Sequence, residues 1–232
     1  MQQLNPKTKP FTARGSKVER CSSCLLQARV CICKYKVSHR SASQFFLVMH
    51  HNESYKPTNT GRLIEDCIED TRRFKWSRTE PCSDLLEALD DEGIDPYIVF
   101  PEGEGYEERM VEYEPKAGKR PVFIILDGTW RQARRMFRHS RYLDAIPVIQ
   151  PKVSRSSEYR LRKAAVEGQL CTAEVAATML QQSHDPRGSE ILSAYFSIFN
   201  DHYKAARLSR PLDDDTEAKR LLLDAQKVGC VK

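Results

Sequence analysis

Short apolar runs separated by polar loops and amphipathic segments fill the first two thirds of the chain. Four of these runs have the length and composition of buried strands: residues 44–49, 95–100, 121–126 and 145–149. Helical patterns lie between them, over residues 61–70 and from residue 130 to about 141. Alternating short strands and helices are typical of a parallel sheet covered by helices, so we expect an α/β fold.

The last third of the chain has mainly helical periodicity. Thr172 is a good N-cap for a helix over residues 173–180, and apolar residues recur at helical spacing over 189–199. Three acids at 213–215 precede a terminal helical pattern over 216–227. We expect a basic arm (1–16), a four-cysteine segment (17–40), an α/β domain (41–208) and a helical tail (209–232).

Composition narrows the class of protein. The chain has 232 residues, 40% of them hydrophobic, which is enough to bury a core without disulfides. Its apolar stretches are shorter than the roughly 18 residues of a membrane helix. The first residues lack the apolar core of a signal peptide. We therefore expect a cytoplasmic protein that has no membrane partner and needs no obligate protein partner.

The net charge of +5 conceals a strong asymmetry. Residues 1–40 hold nine Lys and Arg and one acid, and residues 128–162 hold nine and two. Residues 80–114 hold thirteen acids and a single Arg. Two basic zones and one acidic zone predict a positive face that suits nucleic acid, although ordinary solvated surfaces are the alternative.

Four cysteines lie within thirteen residues, at Cys21, Cys24, Cys31 and Cys33. This spacing lets four thiolates close a tetrahedral Zn²⁺ site, and an open coordination position is not indicated, so the zinc is expected to be structural. Four unrelated thiols and an iron–sulfur cluster are the alternatives.

The remaining candidate site residues lie in two loops that follow predicted strands. Thr58, Asn59 or Thr60 can cap the helix after the first strand, where free N–H groups bind anions. Asp127 ends the most apolar strand, where a carboxylate is costly unless it is paired or used. Thr129 can cap the next helix, and Trp130 offers a face for stacking a base. Alternatively, this is an ordinary capped helix with a buried Trp and a solvated arginine face.

The tetrapeptide Asp127-Gly-Thr-Trp130 resembles the D-x-T-W signature of the DTW-domain proteins, which include bacterial tRNA-uridine aminocarboxypropyltransferases. The cysteine cluster, Thr58-Asn-Thr60 and Leu170-Cys-Thr-Ala-Glu174 occur in the same order as in that family. The resemblance covers roughly residues 15–205, which is nearly the whole chain.

The resemblance implies a SPOUT-like fold, an α/β sheet whose C-terminal part can be knotted around the cofactor site. It implies S-adenosylmethionine as the donor of a 3-amino-3-carboxypropyl group. The acceptor would be N3 of a tRNA uridine, in the variable loop at about position 47 in tRNA numbering. The coproduct would be 5′-methylthioadenosine, and Zn²⁺ would be bound by the cysteines.

The residues of this chain fit that chemistry as follows. We expect catalytic roles for Asp127, Thr129 and Trp130. Donor contacts are expected from Asn59, Thr60, Leu126, Trp130, Thr172, Ala173 and Glu174. RNA contacts are expected from Lys17, Arg20, Arg131, Arg134, Arg135, Arg138, Arg160 and Arg162.

The role of Asp127 stays open at this point. As a general base it would take the N3 proton of the uracil, but it can also bind the donor's ammonium group or hold the loop in shape. Two other functions compete with aminocarboxypropyl transfer. One is a SPOUT-like RNA methyltransferase, and the other is a zinc-containing RNA-binding protein without catalysis.

Overall fold

A computed structural model describes residues 18–51, 53–152 and 170–229, and these residues form a five-stranded sheet. The strands are β1 (Gln44–Met49), β2 (Arg72–Lys75), β3 (Ile94–Val99), β4 (Arg120–Asp127) and β5 (Val148–Ile149). Their order across the sheet is β2-β1-β4-β3-β5, and every neighbouring pair is parallel. The predicted α/β class is therefore confirmed.

Strand β4 lies at the centre of the sheet, between β1 and β3. Its register with β1 runs from Gln44 opposite Val122 to Met49 opposite Asp127. Both strands therefore end at the same level. Asp127 is the last residue of β4, so it stands at the carboxyl edge, where open parallel sheets bind their ligands.

Helices cover both faces of the sheet. They are α1 (Gly61–Cys67), α2 (Ser83–Leu89), α3 (Trp130–His139), α4 (Thr172–Gln182), α5 (Pro186–Leu208) and α6 (Glu217–Gly229). Alternate residues of β4 enter different cores because side chains of a strand point to opposite faces. Phe123 and Ile125 pack with α1, α4 and α5, whereas Ile124 and Leu126 pack with α2 and α3.

The cysteine segment packs on the first of these cores. Its residues Val30 and Tyr35 are buried in the same apolar cluster as α5 and α6. His202 of α5 bonds the Val30 carbonyl oxygen through Nδ1 at 3.0 Å, and Gln226 of α6 donates to the Lys34 carbonyl. The segment and the last helix are thus joined to one another and to the sheet, and the domain boundaries given above stay a prediction.

Several elements differ from those expected from the pattern. Strand β2 and helix α2 were not predicted, since three of the four β2 residues are exposed Arg or Lys. The predicted strand over 145–149 is reduced to Val148–Ile149. Helix α5 is longer than the predicted 189–199, because Asp185 caps it and Pro186 starts it.

Some predictions fall outside the described residues, namely the basic arm, Lys17, Arg160 and Arg162. Among the residues that are described, none of the helices combines the length and the apolar composition needed to cross a bilayer.

Candidate functional site

Asp127 is the centre of a buried polar site at the carboxyl edge of the sheet. Its side chain is 2% exposed. Asn59 donates its amide N–H to Asp127 Oδ2 at 2.6 Å, and the Thr172 hydroxyl donates to Oδ1 at 2.7 Å. The carboxylate therefore joins the loop after β1 to the first turn of α4, and burial in this setting is offset by two charge-assisted hydrogen bonds.

The loop after β1 is shaped to approach this carboxylate. Its first residue, His50, donates its backbone N–H to the Asp127 carbonyl at 3.0 Å. Near its end Asn59 Oδ1 accepts the N–H of Arg62 in the first turn of α1, whose N-cap position is Thr60. Gly61 follows, and a Cβ at that position would lie 2.8 Å from Asp127 Oδ2. Only glycine fits this approach without displacing the carboxylate.

The amino end of α4 reaches the site differently from the prediction. Thr172 is the first helical residue and not the N-cap, because its hydroxyl donates to Asp127. Cys171 takes the N-cap position, and its N–H is accepted by Glu174. The Ala173 N–H contacts Thr60 Oγ1 at 3.4 Å. The structure thus brings Asn59, Thr60, Thr172 and Ala173 together around Asp127, with Glu174 in the same first turn of α4.

Thr129 belongs to a second, connected network. It is the N-cap of α3, and Gln132 completes a capping box with it. Gln132 Oε1 accepts from both the N–H and the hydroxyl of Thr129, so its Nε2 is left to donate to His50 Nδ1 at 3.2 Å. This assigns the proton of neutral His50 to Nε2. Burial lowers the pKa of His50, and neighbouring His51 lowers it further.

Two predicted donor contacts differ in their surroundings. Trp130 is half-buried at the start of α3, and its ring centroid lies 6.4 Å from that of Phe100. Leu126 is buried in the core formed with α2 and α3, on the face of the sheet opposite to Ile125 and Asp127. Phe100 belongs to the same core as Leu126, so both residues lie towards the α2 and α3 side of the sheet, and their donor contacts stay predictions.

The arginines of α3 form an exposed surface. Arg131, Arg134, Arg135 and Arg138 are all exposed, while Ala133 and Met136 are buried against the sheet. Arg135 acts electrostatically on His50, so this surface begins beside the loop after β1. Arg20 lies elsewhere and donates to the Leu25 carbonyl within the cysteine segment. The predicted basic stripe is therefore present as a solvent-facing helix surface.

The four cysteines converge as their spacing predicts. Their sulfurs all lie within 4.8 Å of one another, with 3.7 Å between Cys21 and Cys33 and 3.8 Å between Cys24 and Cys31. Four sulfurs bound at about 2.3 Å to one tetrahedral ion lie about 3.8 Å apart. The cluster can therefore hold a metal ion.

The surroundings of Cys21, Cys24 and Cys31 shift the pKa values of these thiols in opposite directions. Backbone N–H groups of Cys24 and Ser23 lower the pKa of Cys21 to about 6. Burial raises the pKa of Cys31 to about 12 and also raises the pKa of Cys24. A bound cation deprotonates its thiol ligands, so ion binding would overcome the effect of burial on Cys24 and Cys31.

Arg62 connects the cysteine segment with the Asp127 site, and the sequence did not reveal this. The residue is 9% exposed, and its guanidinium donates to the carbonyls of Cys24 at 3.4 Å and Ser54 at 3.1 Å. Its backbone N–H bonds Asn59, which in turn bonds Asp127. Arg62 and Gln132 were both missed, because contacts to distant backbone or side-chain atoms leave no local pattern.

Comparison with known proteins shows which family the sequence matches. The DTW domain family matches residues 18–204. The chain is similar to tRNA-uridine aminocarboxypropyltransferase 2 of Macaca fascicularis, at 27% identity over 175 residues, and of Mus musculus, at 26% over 170 residues. Each match covers 69% of this chain and 55% of the relative, so the chain spans about half the length of these curated relatives.

No solved structure matches the chain. The family match nevertheless extends over most of the sequence and includes the cysteine cluster, the loop after β1, the Asp127-Gly-Thr-Trp130 signature and the start of α4. The chain therefore belongs to the DTW-domain family.

Proposed function

We propose that this protein transfers the 3-amino-3-carboxypropyl group of S-adenosylmethionine to N3 of a tRNA uridine, in the variable loop. The observation that carries the proposal is the buried Asp127 carboxylate, bonded to Asn59 and Thr172 at the edge of the sheet. Three sequence segments of a DTW-domain protein meet at this one group. The names of the curated relatives support tRNA and this transfer as the chemistry.

The surroundings of Asp127 fit the donor. Asn59, Thr60 and Thr172 supply polar groups suited to the amino and carboxylate ends of S-adenosylmethionine. Trp130 supplies an aromatic face suited to adenine. The bound donor contributes a sulfonium leaving group that makes its γ-carbon electrophilic.

The reaction needs a deprotonated uracil nitrogen. The N3–H bond breaks, N3 forms a bond to the γ-carbon, and the carbon–sulfur bond breaks to release 5′-methylthioadenosine. We assign the acceptance of the N3 proton to Asp127. Asn59 and Thr172 hold that carboxylate in one orientation, and positioning of N3, carbon and sulfur in line supplies much of the rate.

The remaining parts of the protein serve binding in this proposal. The exposed arginines of α3 contact tRNA phosphates, together with Arg20 and, beyond the described residues, Lys17, Arg160 and Arg162. The cysteine cluster holds structural Zn²⁺, since four thiolates leave no coordination position for a substrate. The parallel sheet supports assignment to the SPOUT class, and a C-terminal knot stays part of the proposal.

Mass spectrometry of tRNA incubated with the purified protein and S-adenosylmethionine tests this function. We expect one nucleoside to gain about one hundred mass units, with release of 5′-methylthioadenosine. A gain of about fourteen units with S-adenosylhomocysteine would instead identify a methyltransferase. Binding of tRNA without any gain in nucleoside mass would indicate a non-catalytic RNA-binding protein.

A further inference from the structure

Tyr55 is an unusually exposed aromatic residue beside the Asp127 site. Its side chain is 83% exposed, more than any other large hydrophobic residue among those described. Exposing an aromatic ring to water forgoes the free energy that its burial would contribute. The position of Tyr55 therefore points to a ligand.

The loop that carries Tyr55 has a defined shape. Successive turns close it, because the N–H groups of Glu53, Lys56 and Asn59 each bond the carbonyl three residues earlier. Glu53 is fully buried and pairs with Lys56 at 2.5 Å. Arg62 also holds the Ser54 carbonyl. Tyr55 thus projects from a loop whose neighbours on both sides are anchored.

This loop is attached to Asp127 at both ends. His50 donates to the Asp127 carbonyl, and Asn59 donates to the Asp127 carboxylate. A base resting on Tyr55 would therefore contact the same loop that bonds the group to which we assign proton transfer.

A column of rings supports a second aromatic face on the same loop. Trp76 stacks on His50 with centroids 5.8 Å apart, and His50 contacts His51 at 4.3 Å. His51 ends this column and is exposed. Stacking on a supported ring costs little ordering entropy, since the ring is already held in place.

The charge around the loop is positive. Lys56 of the loop is offset by its ion pair with Glu53, so the positive charge comes from α3, where Arg135 acts on His50. Arg131, Arg134 and Arg138 continue the exposed basic surface along α3. Aromatic rings beside a basic surface are the combination with which proteins bind unpaired nucleotides.

We propose that Tyr55 and His51 form a stacking site for unpaired bases of the RNA, next to the acceptor uridine. This inference rests on the proposed function, because it takes tRNA as the acceptor. The rings stack on bases, and the arginines of α3 neutralise the neighbouring phosphates. A base held outside the helical stack in this way leaves the edge of the adjacent uracil accessible to Asp127.

The test measures binding without the donor, by fluorescence anisotropy of unmodified tRNA and of a short single-stranded oligouridine at several salt concentrations. Tyr55→Ala is expected to weaken binding of both by about tenfold, the size of one stacking contact. Tyr55→Phe keeps the ring and should bind within about twofold of the unmodified protein. His51→Ala is expected to weaken binding by several fold.

Leu208→Ala provides the matched control, because Leu208 is also an exposed apolar side chain but lies on α5. It should leave both affinities unchanged. The slope of log affinity against log salt should stay the same in Tyr55→Ala, since a stacking contact releases no counterions. Equal melting temperatures for all variants would show that folding is unaffected.

Unchanged binding by Tyr55→Ala would overturn the stacking site, and so would equal losses in Tyr55→Ala and Tyr55→Phe. Unchanged binding by His51→Ala would remove His51 from it. Ring-dependent binding of oligouridine without transfer to tRNA would overturn the proposed function and keep the stacking site. Transfer to tRNA, together with binding that does not depend on the Tyr55 ring, would overturn the stacking site and keep the proposed function.

Discussion

The Asp127 site is buried and the cysteine cluster is mostly half-buried, and the two are also stabilised differently. Around Asp127, each carboxylate oxygen accepts a hydrogen bond from a protein donor, Asn59 or Thr172. In the cysteine cluster, four sulfurs face one another within 4.8 Å. Four thiolates at that distance repel unless a cation lies between them.

The two sites therefore differ in whether they depend on a group that the chain itself does not supply. Protein hydrogen bonds hold Asp127 in place before any substrate binds, which is the preorganisation that catalysis requires. The cysteine cluster can hold an ion, and four thiolates would need that cation for their charge balance. Arg62 joins the two regions through the Cys24 carbonyl and Asn59, so disturbance of one is expected to reach the other.

Removal of the metal should produce the largest effect. We expect a strong chelator to lower the free energy of unfolding by about 5 kcal/mol or more, because ion binding and folding of the cysteine segment are coupled. The corresponding drop in Tm is about 10 °C, measurable by differential scanning calorimetry. Cys24→Ser should imitate it, and Cys82→Ser, outside the cluster, is the control. A chelator-resistant Tm in protein shown to have lost its metal would contradict the coupling.

Asp127→Asn should have the next largest effect. We expect transfer to fall at least about hundredfold, because an amide cannot accept the N3 proton. Thr172→Ala is the matched variant, since it removes one hydrogen bond to Asp127 and keeps the carboxylate. Single-turnover rates of the two variants separate the roles of the carboxylate. Equal losses in both would indicate that Asp127 positions the loops and is not the base.

Gly61→Ala should disturb the site through a steric contact. In most helices this change stabilises by about 0.5–1 kcal/mol, but here the added Cβ would lie 2.8 Å from Asp127 Oδ2. We expect a loss of about 1–3 kcal/mol in urea unfolding. Slower transfer with unchanged tRNA affinity should accompany it. A more stable variant with full activity would show that the carboxylate has room to move.

Arg134→Ala should act on binding alone. If Arg134 neutralises one phosphate, the slope of log affinity for tRNA against log salt should become shallower by about one. Arg187→Ala removes the same charge from α5, where Arg187 pairs with Glu190, and serves as the control. Identical slopes in the two variants would argue against α3 as the tRNA surface.

Acid should have the smallest of these effects, by weakening the contact between the cysteine segment and α5. Burial lowers the pKa of His202, which bonds the Val30 carbonyl through Nδ1. The unfolded chain therefore binds more protons below its histidine pKa of about 6.5, and stability falls as the pH drops from there. His202→Gln should make this decrease shallower in urea titrations from pH 7 to 5. An unaltered pH profile would show that other groups control it.

The sequence predicted those parts of the molecule that are determined by residues close together along the chain. The cysteine spacing predicted a cluster that closes within thirteen residues, and β1 and β4 were predicted almost to the residue because both are continuous apolar runs. Asp127 was singled out because it ends such a run. These signals need no knowledge of how the chain folds back on itself.

The rest depends on contacts between distant residues. Thr172 is a residue type that often caps helices, and only the fold shows that its hydroxyl donates a hydrogen bond to Asp127, 45 residues earlier. Strand β2 is exposed on three of its four residues, so its sequence carries no apolar signal. The bond from Gln132 to His50 likewise spans 82 positions.

The packing of the cysteine segment against α5 and α6 also has a consequence for the order of assembly. During synthesis the four cysteines emerge before α5 and α6 and can bind an ion at once, because their cluster is local. Their apolar partners on α5 and α6 follow more than 150 residues later, as the contact between Arg29 and Ala206 illustrates with its separation of 177. A nascent chain would thus carry its metal long before the surface behind it is covered. Until then that surface is exposed to chaperones and to aggregation.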